Sequence, residues 1–325
     1  MLKSIKILIS VFTFLIIFSL IGCNNDNNTN DQINNNDNIE ESLGVLRIGL
    51  MPSLDAFPIV IAHHFGYFED ERLSVVLEPF SGAGYRDAAL QAGLLDASTF
   101  DLVAVGLSRE ANIVPMRVTG STTGRFTLVA RDDFNSIEDL AGEVVVISQN
   151  TAIDLVLDQM VYLAGFDADH LETVAIQSIP SRLEYLRAGN VNAALLPEPW
   201  ATIILAEEGF HAITNTLEIG FIPFVTAFTE DFIENNPEAI RAFYRAYNRG
   251  IDFLNNHELE DFIHIMIDVI NFSDAIADIL ELPVFAHNQL PEEFVLDSAL
   301  EWLKNRNLIS AHFTIQDFIS NVAFE

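Results

Sequence analysis

Two stretches of the chain repeat one order of apolar and polar positions. Each opens with a run that is apolar on both faces, Leu46 to Leu50 in the first and Val144 to Ser148 in the second, as suits a strand inside a parallel sheet. A helical stretch follows, and Gly66-Tyr67-Phe68 or Gly165-Phe166 stands where a left-handed C-cap would stop it. A second strand begins at Leu73-Ser74-Val75-Val76 or Leu171-Glu172-Thr173-Val174. A second helix carries Arg86-x-x-x-Leu90-x-Ala92-Gly93 or Arg182-x-x-x-Leu186-x-Ala188-Gly189, and a third short strand starts at Ala97 or Ala193. Strand-helix-strand-helix-strand with short connections implies right-handed crossovers and a mostly parallel sheet covered by helices on both faces. Used twice, the unit predicts an α/β protein of two lobes.

The ends of the chain depart from this pattern. Lys3 and Lys6 precede an apolar run, Ile7 to Ile21, that is too short to span a bilayer, which takes roughly 20 apolar residues. The run ends in Leu20-Ile21-Gly22-Cys23, which resembles the lipobox of a bacterial lipoprotein. Residues 1–22 are therefore expected to be a cleaved signal peptide. Cys23 would become a lipidated N-terminus, and the Asn-rich stretch 23–44 a flexible tether. Late in the chain, Pro237 to Leu254 and Asp297 to Asn305 read as helices; Asn256 to Gln289 fits the pattern less well, and residues 291–325 add apolar helical material of unassigned role.

Composition narrows the partners. The formal net charge is −31, and all the acidic residues follow the signal, so nucleic acid and anionic membrane surfaces are poor partners and no nucleic acid is expected. Lys304 is the only lysine after Lys6, with Arg carrying the remaining positive charge; an alkaline exterior and a saline one both fit. One cysteine leaves no disulfide framework.

In sheets of this kind ligands bind beyond the carboxyl ends of the strands. The candidate contacts are then Ser53 and Asp55 in the first unit, Gly82 and Tyr85, Thr99, Phe100 and Asp101, and Thr122 and Thr123. The second unit offers Ser148, Asn150 and Thr151, then Glu198 and Trp200, with Phe221 as a further stacking surface. Gly82 and Gly84 alone suit a turn better than a phosphate cradle. His63 and His64 diverge on a helix, and His257 and His264 fall among acids on a solvated face, so no metal site is expected. Trp200 serves equally as a core residue at a helix start or as a stacking surface. Arg86 and Arg182 recur at equivalent places, which favours a structural part for both. Asp55, Asp101 and Glu198, with only Arg125 as an unassigned cation, favour a neutral or cationic flat ring over an anion. On that reading Glu198→Gln weakens solute binding. Hydroxyls at Ser53, Thr122, Thr123, Ser148 and Thr151 keep an oxyanion open.

The order of Leu46-Arg47-Ile48-Gly49, Gly66-Tyr67-Phe68, Ala92-Gly93-Leu94-Leu95-Asp96-Ala97, Ser136-Ile137-Glu138-Asp139-Leu140-Ala141-Gly142 and Pro197-Glu198-Pro199-Trp200 resembles the solute-binding proteins of ABC importers for nitrate, sulfonates, taurine and thiamine pyrimidine precursors. The resemblance implies a periplasmic-binding-protein type II clamp. Its lobes would be residues 45–128 with 224–325, and 129–223, joined by crossing strands near Leu128 to Arg131 and Phe224 to Phe228. It implies a monomer without cofactor, metal or catalysis, which hands a solute to a permease and its ATPase. A thiamine-precursor-like pyrimidine fits the candidate loops better than a sulfonate, taurine or nitrate. Two rivals remain. One is an enzyme on the same fold, like a pyrimidine synthase or a menaquinone-pathway dehydratase, against which stands the absence of a lysine in any candidate loop for a pyridoxal phosphate Schiff base. The other is a sensor that reports its closed state to a receptor.

Overall fold

The first sheet begins at β1 (Val45–Leu50), which continues through a short 3-10 turn into α1 (Phe57–His64) and α2 (Tyr67–Asp70). Next come β2 (Ser74–Pro79), α3 (Ala83–Gln91), β3 (Ala97–Asp101), α4 (Leu102–Ala111) and β4 (Met116–Ser121). The chain then crosses through residues 122–125 into β5 (Phe126–Arg131) of a second sheet, built further from β6 (Val144–Ile147), α5 (Ala152–Leu163), β7 (Glu172–Ala175), α6 (Ile179–Arg187), β8 (Ala193–Pro197), α7 (Trp200–Leu205) and β9 (Phe210–Asn215). Residues 216–223 lead back to β10 (Phe224–Thr229) in the first sheet, followed by α8 (Glu230–Asn235), α9 (Pro237–Asn256), α10 (Leu259–Ile270), α11 (Glu293–Asn305) and α12 (Ile315–Phe318). This computed structural model describes residues 41–325. The signal peptide, Cys23 and all of the tether up to residue 40 lie outside the described residues. Among those described, no helix is long and apolar enough to cross a membrane.

The two sheets share one topology. Their strand orders are β2-β1-β3-β10-β4 and β7-β6-β8-β5-β9. β1 runs parallel to β2 and β3, with Leu46 opposite Val75 and Ile48 opposite Leu77; β6 runs parallel to β7 and β8, with Val146 opposite Val174. The repeat extends to the helix ends. Gly93 and Gly189 have φ of 69° and 73°, and each donates its N–H to a carbonyl of the last turn, Leu90 and Leu186, at 2.9 and 3.0 Å. The next N–H, of Leu94 or Asn190, reaches back to Ala89 or Tyr185 at 3.0 Å, so both helices stop in the same left-handed cap.

Each sheet is mixed, because the fourth strand arrives from the other lobe and runs the opposite way. β10 is antiparallel to β3 and β4, and β5 is antiparallel to β8 and β9. Since those strands feed in from opposite directions, the crossovers sit beside the carboxyl ends of β3 and β8. That placement brings residues 122–125 to the candidate site.

The tail that fits the sequence pattern poorly is core. Phe262, Met266 and Ile270 of α10 are buried around Phe57 of α1, whose ring meets that of Phe272 edge-on at 5.0 Å. α9 packs its apolar stripe, including Phe243, Tyr247 and Ile251, against α1. The helical material after residue 290 also acquires a role. Leu300 and Leu303 of α11 share one apolar cluster with Val105 and Val118 on the first sheet's side and with Val145 and Leu155 on the second's. On α11, the Trp302 indole donates to Asp158 Oδ2 at 2.7 Å, and the Arg306 guanidinium pairs with Asp154 and Asp158 of α5, each at 2.8 Å. α11 and the residue that caps it, Arg306, therefore tie α4 to α5 across the two lobes.

Candidate functional site

The carboxyl ends of the parallel strands collect most of the candidate residues, and each end is built by a cap or a turn. Past β1, the Ser53 hydroxyl donates to Asp55 Oδ1 in a very short hydrogen bond, and Asp55 is 9 % exposed. Burial lifts its carboxyl pKa to about 6, partly offset by the Ser53 hydroxyl and by the charge of Arg86. At β3, Thr99 and Phe100 are buried, and Asp101 caps α4 by accepting from the Ala104 N–H at 2.9 Å. Burial raises the Asp101 pKa as well. Arg86 organises this corner: its guanidinium donates to the Thr99 carbonyl at 3.2 Å and to Asp87 Oδ1 at 2.9 and 3.0 Å, and lies 4.2 Å over the Phe100 ring.

In the second lobe, Ser148 past β6 is buried and donates to Gln177 Oε1. Asn150 takes a left-handed φ of 56° and donates its N–H to Asp154 Oδ2 at 2.9 Å, while Thr151 caps α5. At β8, Glu198 is 3 % exposed. Its Oε1 accepts from Arg125 Nε at 2.9 Å and Nη2 at 2.7 Å, and its Oε2 accepts from the Thr202 N–H at 3.2 Å. The cation that the sequence left unassigned is thus bound to one of the carboxylates assigned to the ligand.

A cavity of about 370 Å³ joins part of the set. It runs between α3 and α4, is lined by Arg86, Phe100 and Asp101 from the first lobe, and is closed by Asn150 and Thr151 from the second. Ser53, Asp55, Gly82, Thr122, Thr123, Ser148, Glu198 and Trp200 stand outside that lining. Thr122 is buried with its hydroxyl unpartnered among the described residues, Thr123 is half-buried beside it, and Gly82 is half-buried at the N-cap of α3. Trp200 starts α7 half-buried against an apolar cluster of the second lobe. One candidate is displaced by its surroundings: Phe221 is fully buried and packs against Phe294, so it presents no face to a solute. Tyr85 is 71 % exposed on α3.

Arg182, to which the repeat assigns a structural part, has few partners. It is fully buried, gives one N–H to the Ile176 carbonyl at 3.2 Å, and leaves Nε and Nη2 without a partner among the described residues. Burial alone pulls its pKa down to about 10.

The raised pKa of Asp55 carries a pH prediction. Between the unfolded carboxyl value of 3.8 and about 6, the folded protein holds a proton that the unfolded chain has lost, so this group adds stability as pH falls through that window and costs stability above it. Asp55→Asn removes the dependence. The variant is expected to exceed the parent at pH 7.5 by as much as about 3 kcal/mol, with the gap closing towards pH 4, as read from urea midpoints. Parallel pH profiles for the two proteins would refute it.

Two mixed α/β lobes joined by two crossovers, with capped loops at facing strand ends, define the fold class of periplasmic binding proteins of type II. Solved structures of that class superpose over most of the chain. The aliphatic sulphonate binding protein SsuA of Escherichia coli matches with a TM-score of 0.68 at 13 % identity, covering 85 % of this chain and 92 % of its own. The alkanesulfonate-binding SsuA of Xanthomonas axonopodis, bound to MOPS, gives 0.69 at 13 %, covering 85 % and 98 %. The periplasmic nitrate-binding protein NrtA of Synechocystis gives 0.68 at 10 %, covering 86 % and 87 %. No curated protein matches the sequence significantly. The NMT1/THI5-like family model matches residues 53–260, and the chain belongs to that family.

Proposed function

We propose that this protein is the extracytoplasmic solute-binding component of an ABC importer, held to the membrane by lipid on Cys23, which closes its two lobes over a small solute and presents the closed form to a permease. The observation that carries this reading is the pairing of two like-folded sheets through two short crossovers, with Asp101 at a strand end of the first lobe and Asn150 and Thr151 at one of the second lining a common cavity. The membership of the family and the solutes named for the similar structures support it. Function here is capture, in which a solute shifts an open-closed equilibrium by its differential affinity for the two forms.

The choice of solute is narrowed by what the carboxylates already hold. Glu198 is committed to Arg125 and Asp101 to the α4 cap, which leaves Asp55 as the acid free to accept an N–H from a solute. An amine or an amino-substituted ring such as a thiamine pyrimidine precursor suits that one acceptor. The test is closure: a bound solute should compact the soluble domain in X-ray scattering and raise its stability, by about 2.7 kcal/mol at a hundredfold excess over Kd. A solute that binds tightly and leaves the scattering profile unchanged would remove the clamp. Stimulation of a reconstituted permease-ATPase by the loaded protein separates import from sensing.

A further inference from the structure

We infer that the solute carries an apolar arm and that the groove between α3 and α4 is the subsite that takes it. The inference rests on the solute-binding reading and names one chemical class within it, an amine or amino-substituted ring extended by an alkyl or aryl arm.

The internal repeat shows how the groove is made. In the second lobe, Ile179 and Leu183 of α6 pack with Ala201 and Ile204 of α7 in one apolar cluster. α3 and α4 hold the same places in the first lobe, as the helices on either side of the third strand of the unit. There the positions of Ile179 and Leu183 are Ala83 and Asp87. Ala83 is too small to reach α4, and the Asp87 carboxylate is drawn to the Arg86 guanidinium at 2.9 and 3.0 Å. The result is the opening of about 370 Å³, with Ala83 and Asp87 in its lining. Contacts given up between two helices cost stability, so a gap kept in one copy of the unit and closed in the other marks a place that a ligand fills.

The groove is apolar along its length. Leu90 of α3, Val103 and Leu107 of α4 and Met116 of β4 form its walls. α4 follows it for ten residues, about 15 Å, from Asp101 at the carboxyl edge of the sheet to Ala111. The volume exceeds twice the roughly 150 Å³ that accommodates a benzene ring. The charges at its rim are already engaged: Arg86 with Asp87 and the Thr99 carbonyl, and Asp101 with the Ala104 N–H. An apolar group gains there by leaving water, whereas an ion would exchange its hydration for no partner.

The two ends differ. At the inner end Asn150 and Thr151 of the second lobe close the groove, while at the outer end Ile113 is 65 % exposed. Asp55, the acid free for an N–H donor, stands at the inner end, near enough for the charge of Arg86 to act on it. A solute whose amino group meets Asp55 would lay its arm past Phe100 and down α4. Because Asn150 and Thr151 reach the arm only when the lobes meet, the arm adds to the affinity of the closed form over the open one.

The experiment measures calorimetric affinities of n-alkylamines from propyl to decyl for residues 41–325, which form one compact unit. The parent should bind more tightly by about fourfold for each methylene that enters the groove, and the gain should level off once the arm passes Ile113 into solvent. Ala83→Ile places the second lobe's side chain in the opening, and Ala104→Phe obstructs it from α4. Ala83 is exposed and Ala104 half-buried, so both variants are expected to fold, and each should flatten the rise of affinity with chain length. Asp55→Asn should instead weaken every amine by a similar factor and leave the rise intact. A parent that binds no amine, or binds all lengths alike, overturns the subsite, and so does a rise that survives both obstructing variants. If an armless aminopyrimidine still binds and compacts the protein in X-ray scattering, the solute-binding reading survives that result; if no solute of any class does, that reading falls too.

Discussion

Arg125→Met is expected to destabilise the protein by about 3 to 5 kcal/mol, because it strands the Glu198 carboxylate in the interior with a single N–H for company. The Glu198 side chain is 2 % exposed, and Arg125 approaches its Oε1 through both Nε and Nη2. Its other contact is the Thr202 N–H at 3.2 Å. The double variant Arg125→Met with Glu198→Gln should recover most of the loss, since removing both charges leaves nothing uncompensated. Urea unfolding of the four proteins gives the coupling directly, and a coupling below about 0.5 kcal/mol would show that the pair is not a unit. The same geometry changes the meaning of Glu198→Gln alone. The sequence suggests that this substitution weakens solute binding by removing an acceptor, whereas the structure makes its first effect the loss of Arg125's partner on the crossover at 122–125.

Gly250→Ala should be the second severe substitution. A Cβ at this position would lie 2.3 Å from the Pro58 carbonyl oxygen and 3.2 Å from its carbon, where α9 crosses α1. Both atoms are backbone, so relief requires the helices to separate along a face that buries Phe57, Phe243 and Tyr247. The better helix propensity of alanine, about 1 kcal/mol, is outweighed by overpacking of about 1 to 3 kcal/mol and by the packing lost on separation. Gly84 is the control. It lies in α3 with nothing within 4 Å of its Cβ position, so Gly84→Ala should stabilise by a few tenths to about 1 kcal/mol. Thermal midpoints that move the same way for both variants would contradict the argument.

The parts of the fold that could be read from the chain are those governed by neighbours in sequence. The run that became β6 is apolar on both faces because a central parallel strand is covered twice, and that requirement is visible in consecutive residues, whereas β1 buries Leu46, Ile48, Gly49 and Leu50 and leaves Val45 and Arg47 exposed. The caps at Gly93 and Gly189 are equally local, since a positive φ excludes most side chains whatever lies nearby. With these, the repeat alone determined two like lobes and where each sheet's carboxyl edge would fall. The stretch 256–289 was opaque because its apolar residues answer to Phe57, distant in the chain, and not to a repeat of their own.

The site divides along the same line. That Ser53, Asp101, Ser148 and Thr151 sit at strand ends follows from local order, while which charges remain open to a ligand depends on partners that only folding brings together. Glu198 meets Arg125 across 73 positions of sequence, and Asp154 meets Arg306 across 152. Phe221 looked like a stacking surface until Phe294, from the last third of the chain, covered it. Arg86 and Arg182 look alike in the repeat, yet one is paired with a carboxylate and the other holds only the Ile176 carbonyl. Backbone conformation is set within a few residues by sterics and periodicity, but burial and charge compensation are properties of the whole packed surface, so the tertiary structure alone decided which of the candidate groups a solute can still claim.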